Sequence, residues 1–210
     1  KHHYYYLEGK LEYLNSPNEY FFDNSTKYLY LWMTGNEDPS SQNIRAKVQS
    51  YNLNIKNNDY FKLSKINFFG STIRINNSSY VEISNCNFYY PSCYAHMIGQ
   101  INKGTTFEPT QNEVFTTMTT ANSSTNCKFY QCVFKYIDGS AIELFGGNNT
   151  IEDCYFNSVD KTVANLSSVM TTLRMGGSNN IFKNNTIHKT GASSTTNTGE
   201  LSIVEYNDLS

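Results

Sequence analysis

One short pattern recurs six times along this chain and restricts its fold more than any other feature. The pattern is an apolar residue, two residues of any kind, then Cys, Asn or an apolar residue, one more of any kind, and a second apolar residue. It occurs as Leu63-Ile66-Phe68, Ile83-Cys86-Phe88, Phe129-Cys132-Phe134, Ile151-Cys154-Phe156, Phe182-Asn185-Ile187 and Val204-Asn207-Leu209. Its first position falls at 63, 83, 129, 151, 182 and 204, in steps of 20, 46, 22, 31 and 22. A period of twenty-odd residues is the length of one coil in a stacked β architecture, and the two long steps read as a coil plus an insertion. A second element precedes most instances, an apolar-x-apolar strand at Leu53–Ile55, Ile73–Ile75, Ile142–Leu144 and Leu173–Met175. Polar or Gly-rich corners follow it: Asn57-Asn58, Asn76-Asn77, Gly146 to Asn149 and Gly176 to Asn180. Gly and Asn tolerate the left-handed backbone of tight corners.

The two interleaved patterns predict an all-β chain folded as a right-handed single-stranded parallel β-helix of about five to six coils. Strand alternation sends the paired apolar residues inward and the residue between them outward. A single coil cannot bury its apolar face, but a stack buries a continuous core. Equivalent positions then form columns at the ~4.8 Å spacing of paired strands. Cys86, Cys132 and Cys154 share one column as buried free thiols, and Asn185 and Asn207 extend it as an internal Asn ladder. An antiparallel sandwich would give evenly spaced strands but no reason to repeat the Cys/Asn position.

Composition narrows the class. Only 16% of the 210 residues are charged, the formal net charge is -2, and 17 Tyr and 13 Phe are present. Aromatic-rich, charge-poor chains are not disordered, and this charge offers no electrostatic attraction for nucleic acid. No apolar run reaches the ~18 residues of a membrane span, so no membrane insertion is expected. The composition reads as secreted, cell-surface or periplasmic. Sequons stand at Asn24, Asn76, Asn77, Asn122, Asn148, Asn165 and Asn184, although a chain this rich in Asn, Ser and Thr contains several by chance. Five cysteines leave at least one unpaired, and Cys93 and Cys127 border the same coil, where a bridge could form. The chain opens on Lys1-His2-His3-Tyr4 without Met and stops at Ser210 inside a repeat, the expectation for a piece of a longer protein.

The front of the chain breaks the pattern. Tyr4–Leu7, Lys10–Leu14, Tyr20–Asp23 and Tyr28–Met33 cluster as strands around turn chemistry at 15–18 and 23–27. They predict a small antiparallel β subdomain and linker over 1–43 with Trp32 as its core anchor, ahead of the β-helix over 44–210. The segments Tyr6-Leu7-Glu8-Gly9, Leu14 to Asp23 and Leu29-Tyr30-Leu31-Trp32, with Asn184 to Ser193 and Ile203 to Asp208, resemble the bacterial right-handed parallel β-helix repeat family, pectate-lyase-like. The resemblance covers nearly the whole chain and is specific for the fold. It implies a carbohydrate ligand and leaves the reaction open, because the relatives include polysaccharide lyases, glycoside hydrolases and proteins of unknown activity.

The outward column of the first strand reads Asn54, Arg74, His96, Glu143 and Arg174, if Ala95–Gly99 keeps the register of Ile142–Gly146. Thr72, Tyr94 and Thr172 flank it one pleat back. Insertions at 100–125, carrying Glu108 and Glu113, and at 157–171, carrying Asp160 and Lys161, are expected to wall this face. Two mechanisms fit. In a lyase, Arg74 and Arg174 neutralise a uronate carboxylate, His96 takes the α-proton and Glu143 orients His96 or binds a cation. In a hydrolase, Glu143 is one of two carboxylates, the second being Asp138, Asp160 or Glu108. The candidate catalytic residues are therefore His96, Glu143 and Arg174, and the candidate substrate-binding residues Asn54, Arg74, Tyr94 and Asp138. The expected partner is an acidic polysaccharide and the expected state a monomer. No metal site and no cofactor is expected, calcium not being indicated. The alternative is a non-catalytic glycan-binding, adhesin or fibre module, in which opposite charges on adjacent coils only stabilise stacking.

Overall fold

The structure is a computed structural model that describes residues 9–46, 51–91, 119–137, 140–159, 171–190, 193–197 and 199–209. The chain divides into two compact units, with the break after Ala46. In the first, β1 (Tyr20–Phe22) pairs antiparallel with β2 (Leu29–Leu31), as the turn chemistry between them predicts. Asp23 closes the hairpin by accepting hydrogen bonds from the Ser25 and Thr26 hydroxyls at 2.6 and 2.7 Å, which hold its carboxyl down at about 2. Two expectations fail here. Lys10–Leu14 is not a strand, because Leu11–Tyr13 turns as a 3-10 helix closed by the Leu14 amide on the Leu11 carbonyl. Trp32 is 38% exposed and anchors no core. It lines an open pocket of about 340 Å3 with Leu14, Leu31 and Met33.

Among its described residues the second unit is all β, built from three parallel sheets of six strands. The first sheet holds β3 (Tyr51–Lys56), β6 (Thr72–Asn76), β9 (Thr119–Asn122), β12 (Ile142–Leu144), β15 (Thr171–Met175) and β18 (Ser193–Asn197). The second holds β4 (Lys62–Ser64), β7 (Glu82–Ser84), β10 (Lys128–Tyr130), β13 (Thr150–Glu152), β16 (Ile181–Lys183) and β19 (Ile203–Glu205). The third holds β5 (Asn67–Phe69), β8 (Asn87–Tyr89), β11 (Val133–Ile137), β14 (Tyr155–Val159), β17 (Thr186–Thr190) and β20 (Asp208–Leu209). The chain visits them strictly in rotation, so each strand pairs with the strand three later.

The repeat positions stack as the spacing predicts. Leu63, Ile83, Phe129, Ile151, Phe182 and Val204 are register partners in the second sheet. Phe68, Phe88, Phe134, Phe156, Ile187 and Leu209 are partners in the third. The Phe68–Phe88, Phe88–Phe134 and Phe134–Phe156 rings lie 4.8, 4.7 and 5.0 Å apart and nearly parallel. Isolated aromatic pairs favour offset or edge-on geometry, but the strand spacing leaves one ring per level and sets them face over face.

Three corners separate the sheets, and each is built on a residue in the left-handed region. The first corner, between the first and second sheets, uses Tyr60, Tyr80, Asn126, Asn148, Asn179 and Leu201, with φ from 52° to 58°. The second uses Lys65, Asn85, Gln131, Asp153, Asn184 and Tyr206, with φ from 51° to 60°. The third, between the third and first sheets, uses Gly70, Tyr90, Tyr136, Ser158 and Lys189, with φ from 53° to 69°. Only Gly and, less readily, Asn or Asp take this conformation at small cost; other residues lose about 1–2 kcal/mol each. The asparagines of the repeat meet this demand, and the tyrosines do so at a cost to stability.

Inward polar side chains satisfy the corner backbone. Asn185 Oδ1 accepts the Cys154 amide at 2.8 Å, its Nδ2 donates to the Ile151 carbonyl at 3.0 Å, and Asn207 Oδ1 accepts the Asn185 amide at 2.8 Å. This is the expected ladder. A second ladder, at the first corner, was not anticipated: Asn149 Oδ1 accepts the Cys127 amide at 2.8 Å and Asn180 Oδ1 accepts the Asn149 amide at 2.9 Å. Cys86, Cys132 and Cys154 are buried free thiols in one column, and Cys127 is a buried free thiol in another, so it forms no bridge. Cys93 lies outside the described residues. Hydrogen bonding to Cys154 and burial push the Cys132 thiol up to about 12.

The insertions differ from expectation in place. The first lies between β8 and β9 and the second between β14 and β15. The expected bounds 100–125 and 157–171 therefore overlap real strands, β9 in the first case and the end of β14 and the first residue of β15 in the second. Both insertions leave from the third corner, rather than one from each edge of the first sheet.

Candidate functional site

The outward column of the first sheet is set by backbone pairing. Asn54 pairs with Arg74, Arg74 with Thr120, Thr120 with Glu143, Glu143 with Arg174, and Arg174 with Thr196. Four predicted residues, Asn54, Arg74, Glu143 and Arg174, therefore share one column. Thr120 takes the place expected for His96. The register of Ala95–Gly99 with Ile142–Gly146 is corrected, because β9 pairs with β6 on one side and β12 on the other. The cause is legible afterwards: Thr119-Thr120-Ala121 lacks the apolar-x-apolar pattern of the other strands and escapes a search built on it. His96, Tyr94, Asp138, Glu108, Glu113, Asp160 and Lys161 lie outside the described residues. Thr72, expected to flank the column outward, is fully buried.

Within the column the groups are not equivalent. Asn54 is exposed and Arg74 half-buried. The Arg74 guanidinium lies 5.8 Å from the Tyr51 ring centroid. Three strand steps away, about 14 Å, Arg174 has the same kind of support, its guanidinium 5.2 Å from the Phe145 ring centroid. An aromatic face under a guanidinium fixes its plane and leaves the N–H edges for an anion. Arg174 Nη1 also donates to Glu143 Oε1 at 3.5 Å.

Glu143 is the unusual member. It occupies the outward position of β12, yet it is only 8% exposed. Burial pushes its carboxyl above the ordinary carboxylate range, and the Arg174 charge and hydrogen bond only partly oppose this. The second sheet supplies the contrast. There Glu152 sits between Lys128 and Lys183 at 2.7 and 3.0 Å, and their hydrogen bonds pull its carboxyl below the ordinary range. Lys62 and Glu82 form a further pair on that face at 3.3 Å. Ion pairs between neighbouring strands thus occur on both sheets, but among the described residues only the first holds a carboxyl against its ionisation.

Chemically, the column offers two cation sites that suit carboxylates and one carboxyl disposed to carry a proton. Among the described residues no group of three or more His, Cys, Asp or Glu comes together that could hold a metal ion. Among them, too, no helix is long and apolar enough to cross a membrane. Comparison with family models, with curated proteins and with solved structures finds no match to this chain.

Proposed function

We propose that the chain is a right-handed parallel β-helix of six coils that binds an acidic polysaccharide along the face of its first sheet and cleaves it with Glu143 as proton donor. Three parallel sheets visited in rotation support the solenoid, and parallel crossovers are right-handed in nearly all proteins. The observation that carries the site is the opposite behaviour of two glutamates in ion pairs on neighbouring strands. Glu152 has the lowered titration of a surface charge ladder. Glu143 has the raised titration that marks functional groups, in a half-buried pair with Arg174. A uronate carboxylate arriving at Arg174 competes for its guanidinium. Glu143 then loses its opposing charge, desolvation dominates, and the carboxyl takes up a proton. So protonated, it gives that proton to the glycosidic oxygen as the C–O bond breaks. Arg74 receives a second carboxylate about 14 Å along the column.

The partner that activates water in a hydrolase, or removes the α-proton in a lyase, falls among Asp138, Asp160, Glu108 and His96. Reducing-end and unsaturated-product assays on a panel of polyuronates separate the two reactions. Turnover that Glu143→Gln abolishes supports the proposal, and turnover unchanged by that substitution overturns it. One observation favours a second reading, a glycan-binding module without catalysis: the column holds a single carboxylate among the described residues. That reading expects oligouronate binding sensitive to Arg174→Ala and no product from the wild-type chain. The charge-poor, Asn-rich composition supports a secreted, cell-surface or periplasmic location in either case.

A further inference from the structure

We infer that Tyr136 and Ser158 form a stacking subsite for a pyranose ring at the third corner, on the border of the first sheet; the inference rests on the glycan reading above and adds a ligand contact to it. It begins from misplaced tyrosines. The left-handed corner positions suit Asn and Gly, and Asn fills several of them. Yet the two corners that border the first sheet carry exposed tyrosine pairs there: Tyr60 and Tyr80 at the first, Tyr90 and Tyr136 at the third. The second corner lies on the far side and carries Lys65, Asn85, Gln131, Asp153 and Asn184, with a tyrosine only at Tyr206. Stacking between neighbouring levels offsets part of the backbone cost at these sites. The aromatic rings border the sheet that holds Arg74, Glu143 and Arg174.

Most of these ring faces are already used. Tyr60 and Tyr80 are parallel at 4.8 Å, and Tyr90 and Tyr136 stack at 5.2 Å. Among the described residues Tyr136 stacks on one ring only, that of Tyr90, and it is 44% exposed. At the next level the same left-handed position is Ser158. Among the described residues the ladder therefore lacks a ring at that level, and the missing height is one strand spacing, about 4.8 Å, close to the spacing of the rings already stacked.

The rim of this gap is polar. Ser158 Oγ donates to Asn157 Oδ1 at 2.7 Å, and Asn157 Nδ2 donates to the Tyr155 hydroxyl at 2.7 Å. A ring with an apolar face and hydroxyls around its edge uses both the Tyr136 face and this rim. A phenyl ring would leave the rim unused, which favours a sugar over an aromatic side chain. The third corner after Tyr136 leads within seven residues to Glu143. A glycan ring held on Tyr136 thus lies where the chain enters the strand of the proposed proton donor.

The test is calorimetric titration of oligogalacturonate, oligoglucuronate and neutral gluco-oligomers into the wild-type chain and four variants, with melting curves for each. Ser158→Tyr fills the gap with protein. It is expected to melt at or above the wild-type temperature and to bind the preferred oligomer about ten-fold more weakly. Tyr136→Ala is expected to weaken binding similarly, and Tyr136→Phe to retain it. Wild-type binding that Arg174→Ala weakens and a folded Ser158→Tyr leaves intact overturns the subsite while the glycan reading stands. No binding of any oligomer by the wild-type chain overturns both. Displacement of bound oligomer by an aromatic dipeptide, or binding of that dipeptide in its place, overturns the choice of a pyranose.

Discussion

Arg174 reaches Glu143 across one strand step, Nη1 to Oε1 at 3.5 Å, and the carboxyl it reaches is 8% exposed. The pair is long for a charge-assisted hydrogen bond, and desolvation outweighs it in setting the titration of Glu143. In the unfolded chain this carboxyl titrates near 4.5, and in the folded protein it titrates higher. The folded state therefore keeps a proton the unfolded state has lost. Stability from this group is complete below pH 4.5 and declines as pH rises through the folded value. Glu143→Gln should flatten that decline in urea denaturation curves taken at successive pH values. Arg174→Ala should steepen it and cost about 2 kcal/mol at pH 7, with a smaller cost at pH 4. A wild-type slope of the opposite sign in that window would contradict the assignment.

Glu152 should behave in reverse. Its carboxyl is pulled down by hydrogen bonds to Lys128 and Lys183. Its contribution is present above pH 4.5 and is lost as pH falls. Glu152→Gln should remove part of the acid-side loss of stability and leave any polysaccharide turnover unchanged, measured in the same denaturation and product assays.

Asn185 should be costly to replace. Its side chain accepts the Cys154 amide and donates to the Ile151 carbonyl, both in the interior. Asn185→Ala removes the side-chain partner of the Cys154 amide and one donor to the Ile151 carbonyl, and is expected to cost about 1–3 kcal/mol. Asn185→Cys should lose less, because Cys154 already serves at the equivalent position, where its sulfur accepts the Cys132 amide at 3.4 Å. Denaturant midpoints of the two variants, compared with the wild type, decide the order.

The buried thiols should be silent to alkylation. Cys86, Cys127, Cys132 and Cys154 are buried and free, and Cys132 is pushed up to about 12. Burial blocks access to all four, and at pH 8 the Cys132 thiolate is suppressed as well. Mass mapping after iodoacetamide should find these four unmodified in the native protein and modified in guanidinium. Native-state labelling of Cys132 would show that the column opens.

Gly146→Ala should prevent normal stacking. A Cβ at Gly146 would run into the Ser124 backbone carbonyl of the preceding level. A backbone atom cannot swing aside as a side-chain end can, so a loss of about 4 kcal/mol or more is expected, in the range reserved for severe core disruption. Gly70→Ala, with open space around its Cβ, is the control and should cost only its left-handed backbone strain.

The apolar spacing alone determined the strand partners from Leu63 to Val204 and from Phe68 to Leu209, the Cys/Asn column between them, and the common column of Asn54, Arg74, Glu143 and Arg174. It could do so because a repeated inward position has one physical use, to lie over its equivalent in the neighbouring level. The pattern failed where a strand dispensed with it. Thr119-Thr120-Ala121 entered the first sheet on backbone pairing, with small and polar side chains, and displaced the register expected for His96. Trp32 failed for a related reason: a large aromatic marks a core only if enough chain packs around it, and that depends on neighbours distant in sequence. Only the tertiary structure decided that Glu143 is desolvated while Glu152 is not. Both are glutamates at outward strand positions beside basic residues. Burial is a property of what surrounds a side chain in space, and no local pattern of residues records it.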